Sequence, residues 1–293
     1  MPGHEHHIAM THQQFVDQPE AWAQQTNLLS HGFEQYRTAL DALPAEQHRP
    51  LVTKPSFHRR LTVFTLFDGW GTVAQTHLGY MLTNEVNSFG QGLQKLAAWA
   101  CVLKTADTEV KHELLVEFVM PLATHALNLP FALKNRFAFA AMRLSDEANR
   151  ISKNETCKLK KTSDDSKAPN TWNEFWNYGA PWSSCASVRG AVEEIFPDLK
   201  SRLRPIDTHR DRYVHRIPQY LGLGVLETAS VEWDHNKWTV KRTELPALDL
   251  DEIVAVLTPY HQASLQAHAA LCALANEQLQ CIQVLLNQPG SSS

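Results

Sequence analysis

The spacing of residues between Asp249 and Leu286 restricts the fold more than any other feature of the chain. Ile253, Leu257, Tyr260, Ser264, Ala267, Leu271, Leu274, Gln278, Ile282 and Leu285 return every three or four residues, which places this mostly apolar set along one side of a helix. A long helix with one such stripe must be laid against other helices. Matching steps recur upstream. Phe15, Trp22, Leu29, Phe33, Tyr36 and Leu40 predict a helix within His12–Leu43, and Phe137, Ala141, Leu144, Ala148 and Ile151 predict another after Asn128 and Pro130. The C-terminal stripe serves equally as a dimer seam or as packing inside one bundle.

Punctuation divides the rest. Pro44, Pro50 and Pro55 mark a connector. Phe57 to about Asn84 and Ser88 to Lys104 read as two further helices. Asp107 is placed to cap a helix running to about Leu127, kinked or divided at Pro121. Thr258 followed by Pro259 has the form of an N-cap and first helical residue, predicting a short helix and then a long one. Lys153–Asn170 is rich in Lys, Ser, Thr and Asp and is expected to be a mobile surface loop, its Lys158, Lys160 and Lys161 solvated. Trp172, Phe175, Trp176, Tyr178 and Trp182 follow and are expected in the core. Ser187–Leu203 is a further helical stretch.

Val225–Trp233 and Lys237–Thr243 are β-rich around the turn-forming Asp234-His235-Asn236, giving a hairpin within 222–244. The expected fold is therefore mainly α, a multi-helix bundle over residues 12–287 with a small β-hairpin near its C-terminal end. Residues 1–11 and 288–293 are expected to be disordered tips, the former despite His4, His6 and His7.

Composition narrows the function classes. The chain has a net charge of −4, so any nucleic acid contact must come from a local basic surface. Five cysteines without CxxC spacing point to reduced thiols and no zinc site. No basic-then-apolar leader opens the sequence, and the apolar run around Leu96–Leu103 is far short of a bilayer span, which predicts a soluble, cytoplasmic protein. No HExxH, GxSxG, Walker motif or Glu-x-x-His repeat is present, and no cofactor or metal is expected. Gly69, Gly71, Gly79, Gly90 and Gly92 fit no phosphate loop and are read as close-packing positions between helices.

One short segment carries candidate chemistry. Between Pro205 and Pro218, Thr208 stands at an N-cap position with Asp211 three residues on, so a helix of about three turns should begin near His209. Asp211 and His215 are four apart and share a face, where the carboxylate would orient the imidazole. Arg210 and His215 are five apart, about 140° around an ideal helix. Their convergence requires a loosened first turn or a second copy. Between Lys200 and Arg216 six Lys or Arg face two Asp, a basic surplus in an acidic chain.

Arg210-Asp211-Arg212-Tyr213-Val214-His215 resembles the Rx4-6H signature of HEPN domains, helical units of many toxin–antitoxin and phage-defence nucleases, with Asp211 where that family more often carries Asn. The run Ala140–Ala148 is similar in texture to the long core helix of some of these domains. The resemblance implies a metal-independent endoribonuclease with Arg210, Asp211 and His215 as catalytic residues and Arg212, Tyr213 and Arg216 as RNA contacts. It also implies a homodimer that sets two motifs together, and an antitoxin or other regulatory protein as partner. The alternative is a non-catalytic helical module binding a protein or nucleic acid, with Arg210 and Asp211 a structural ion pair.

Overall fold

The computed structural model describes residues 19–55, 68–152, 176–177, 179–196, 221–222, 225–234 and 237–286. Helix α1 spans Pro19–Asp41 and is followed by a 3-10 turn, Ala45–Gln47. α2 (Asp68–Val73), a π-helical stretch π1 (Ala74–Leu82) and α3 (Thr83–Thr105) follow one another without a break. α4 (Thr108–Leu114), a second π-helical stretch π2 (Leu115–Val119) and α5 (Met120–Ile151) form another continuous rod. α6 (Cys185–Ile195), strands β1 (Val225–Asp234) and β2 (Lys237–Pro246), and α7 (Leu250–Leu286) complete the order.

α7 is the hub. It packs on α3, α5 and α6, while α5 also contacts α2, α3 and α6, and α1 closes the outer side of α3. The repeat read in the sequence supplies this contact: Ile253, Leu257, Ala267, Leu271, Leu274 and Ile282 are buried within this chain. The stripe is thus bundle packing. α1 is held by rings, Tyr36 stacking on Trp99 at 4.5 Å and Trp99 on Phe118 at 5.2 Å. Trp176 and Trp182 are buried, as expected of the aromatic cluster; Trp172, Phe175 and Tyr178 lie outside the described residues, as does the Lys153–Asn170 loop.

Several boundaries differ from the sequence expectations. The separate helices expected to end at about Asn84 and to start at Ser88 are one rod. Asn87 Oδ1 accepts from the Val52 N–H at 2.7 Å and its Nδ2 donates to the Val52 carbonyl at 2.9 Å, pinning the proline connector to α3. Pro259 lies inside α7, so the expected short helix and long helix are continuous. Pro130 likewise sits inside α5. An interior proline costs a helix about 3 kcal/mol, and burial on three sides of the bundle exceeds that. Pro121 does mark a change, following π2 at the start of α5. Asp107 caps α4 as expected, its Oδ1 accepting from the Val110 N–H at 3.0 Å.

β1 and β2 pair antiparallel from Val225↔Pro246 to Asp234↔Lys237, the expected hairpin extended by a few residues at its base. Gly222 precedes it at φ 69°, a conformation open to glycine at little cost, and a Cβ there would lie 2.7 Å from Leu115 Cδ2. The stretch Thr108–Ile151 is long and apolar enough to cross a bilayer by length and composition alone. Its Leu133, Phe137, Ala141 and Leu144 are core residues of the bundle.

Candidate functional site

Arg210, Asp211, Arg212, Tyr213, His215 and Arg216 all lie outside the described residues, as does the predicted cap Thr208. The chain on either side of them is firmly held. On the upstream side, Phe196 follows α6 and is buried edge-on against Phe131 of α5 and Tyr260 of α7. Its carbonyl accepts from Lys134 Nζ at 2.7 Å. On the downstream side, Leu221 is buried and bridges to Leu248, and the Gly222 N–H donates to the Leu248 carbonyl at 2.8 Å. The described residues nearest the motif on each side, Phe196 and Leu221, are therefore both fixed on the bundle.

Within the bundle a polar seam joins α2, α5, α6 and α7. Trp70 Nε1 donates to Gln278 Oε1 at 2.8 Å, and Gln278 Nε2 donates to Ser145 Oγ at 3.2 Å. Trp182 Nε1 donates to Asn149 Oδ1 at 3.0 Å. Glu277 receives the Ser183 N–H and hydroxyl on Oε1 and the Ser184 N–H on Oε2, ahead of the first turn of α6. Partial burial alone would raise its pKa, but these donors outweigh it and hold the carboxyl below its ordinary range. Buried amides, indoles and hydroxyls satisfied in pairs position helices.

Two histidines on α7 are sealed in the core. His268 Nε2 lies 3.0 Å from Thr83 Oγ1, whose single hydroxyl proton is given to the Leu78 carbonyl at 2.8 Å. The imidazole must then donate through Nε2, and its Nδ1 is the acceptor facing Cys272 Sγ at 3.8 Å. Burial pushes the pKa of His268 down to about 4 and that of the Cys272 thiol up to about 12. His261 is 1% exposed, stands edge-on to Phe89 and makes a backbone hydrogen bond to Val86. Burial, then the nearby Arg49, depresses its pKa to about 4. Both rings are neutral framework residues at neutral pH.

α5 carries what the sequence reading missed. Arg136, Arg143 and Arg150 recur every seven residues, so they lie on nearly one line along the helix about 10.5 Å apart. Each faces a carboxylate more deeply set than itself: Arg136 with Glu85, side chains 44% and 22% exposed; Arg143 with Glu147, 37% and 14%; Arg150 with Asp146, 39% and 0%. The acids point inward and the guanidinium groups outward. Phe139 stands between the first two arginines with His77 edge-on at 5.5 Å, and the pKa of His77 is lowered by burial and then by Arg143. The seven-residue arginine step was visible in the sequence, as were Glu147 and Asp146 four residues from Arg143 and Arg150; Glu85 was not, since it comes from α3.

Among the described residues no group of His, Cys, Asp or Glu is placed to hold a metal ion. Comparison with known proteins found no matching family model, no matching curated protein and no matching solved structure.

Proposed function

We propose that this chain is a HEPN-like, metal-independent endoribonuclease that cuts RNA through Arg210, Asp211 and His215. The observation that carries the reading is the motif Arg210-Asp211-Arg212-Tyr213-Val214-His215 in a mainly helical chain, with its flanks at Phe196 and Leu221 buried in the bundle.

RNA brings its own nucleophile, the 2′-hydroxyl, so cleavage needs a base for that proton, an acid for the leaving oxygen and a cation for the pentavalent phosphorus. An ordinary imidazole titrates at about 6.5, which suits His215 to proton transfer near neutral pH. Arg210 offers a forked, permanently charged clamp for the phosphoryl oxygens, and Asp211 orients the imidazole. Arg212, Tyr213 and Arg216 contact the substrate. A homodimer brings Arg210 of one copy near His215 of the other, which removes the 140° separation. A cytoplasmic toxin–antitoxin or phage-defence setting, with an antitoxin as partner, fits a nuclease that must be restrained.

The test incubates purified protein with single-stranded RNA in EDTA beside His215→Ala and Arg210→Ala. Loss of a general acid or base lowers the rate by roughly 10²–10⁴-fold. Cleavage at equal rates by the three proteins rules the reading out and leaves the non-catalytic binding module.

A further inference from the structure

We propose that the outward arginine line of α5 (Arg136, Arg143 and Arg150), with Phe139 and His77 beside it, is a track for single-stranded RNA. This rests on the ribonuclease reading and adds a substrate-holding surface separate in sequence from the motif.

The orientation of the ion pairs is the starting point. If these were pairs that simply neutralise a surface, acid and base would be equally exposed. Here all three carboxylates are set deeper than their guanidinium partners, and Asp146 has no exposure at all. The net charge of the six groups is zero, yet in each pair the cation is the member more exposed to solvent. A guanidinium has five N–H donors, and one carboxylate uses at most two of them well. The side chains keep donors on their exposed side, and close pairing of Arg136 with Glu85 and of Arg150 with Asp146 at 2.9 Å restrains the groups that present them, lowering the cost of ordering them when a phosphate arrives; Glu147 lies between Arg143 and Arg150 at 3.9 and 3.8 Å.

Spacing and composition then choose the ligand. Three cations on a line about 21 Å long suit a repeating anion and exceed what a lone phosphate or carboxylate can use. Phe139 is 36% exposed between Arg136 and Arg143, with His77 against its edge, so an aromatic platform interrupts the cationic line. Cations along a backbone with an aromatic face for a base is the arrangement that holds single strands without reading their sequence. An acidic peptide would use the cations but not the platform.

Binding is measured by fluorescence anisotropy with a labelled single-stranded 20-mer RNA, over a range of salt, in a His215→Ala background so that the probe survives. Arg136→Gln/Arg143→Gln and Phe139→Ala are compared with that parent. Arg150 is left in place because Asp146 depends on it. The expected result is a loss of affinity of about tenfold or more for each variant. The double variant should also flatten log K against log salt by about 1.4, near 0.7 per lost phosphate contact. Arg136→Lys/Arg143→Lys should retain the salt slope, and unchanged far-UV circular dichroism melts exclude unfolding.

Affinity and slope unchanged in both variants overturn the proposal, as does absence of RNA binding by the parent, or tighter binding of polyglutamate than of RNA. The two readings fail separately. Wild-type protein that binds RNA through Arg136 and Arg143 but never cuts it removes the nuclease and keeps the track. Wild-type protein that cuts RNA with both variants binding normally does the reverse.

Discussion

His261 and His268 should make the bundle acid-labile in a defined pH window. Each imidazole titrates at about 4 in the folded protein against about 6.5 in an unfolded chain, so between these values the unfolded state takes up protons that the folded state refuses. Stability is therefore full above the unfolded pKa and falls as pH drops from about 6.5 towards 4. From pH 7 to pH 5 the loss is about 2 kcal/mol for each ring, or about 4 kcal/mol together, a large share of the 5–15 kcal/mol typical of a folded protein. Urea titrations at pH 7, 6 and 5 measure it directly. His261→Gln/His268→Gln keeps side-chain amide donors near Val86 and Thr83 but cannot titrate. The double variant should be less stable at pH 7 and should have lost most of the pH slope. A wild-type protein equally stable at pH 7 and pH 5, or a double variant with an undiminished slope, refutes the reasoning.

Two glycines on α3, two residues apart, should respond with opposite signs. A Cβ on Gly90 would lie 2.7 Å from His261 Nε2 and 3.1 Å from Arg49 Cβ, so Gly90→Ala should cost about 1–3 kcal/mol in a thermal melt. Gly92 has nothing within 4 Å of that position, and Gly92→Ala should gain up to about 1 kcal/mol from helix propensity. Gln278→Leu removes the Oε1 that accepts from the Trp70 indole N–H and should cost about 1–3 kcal/mol by urea denaturation, more than Ser145→Ala, which removes only the weaker bond at 3.2 Å.

The sequence spoke most clearly where one physical cause dominated. The Asp107 cap, the two β-rich strands of the hairpin and the apolar stripe of α7 each follow from local chemistry, and each is found in the fold. The prolines misled because their cost is local and their compensation is not. Nothing near Pro259 or Pro130 in the sequence announces that three neighbouring helices bury the rods containing them. The α5 surface was half legible: the arginines repeat at a fixed step, but outward orientation needs the depth of Glu85, Glu147 and Asp146. The motif residues themselves fall outside the described part of the chain, so the nuclease reading still stands on their order and spacing.

The hydrogen bond from Gly222 to Leu248 brings the two feet of the hairpin together, and among the described residues none of the helices packs extensively on the strands between them. Trp238 and Val240 are 69% and 65% exposed. Architecturally the ribbon is a graft, an appendage whose removal leaves the stump already closed. Excising it and joining residues 222 and 248 through a two-residue linker should leave the melting temperature of the helices nearly unchanged. The same geometry makes the ribbon a place where the chain could accept a foreign insert, a tag or a fluorescent reporter with little disturbance to the bundle.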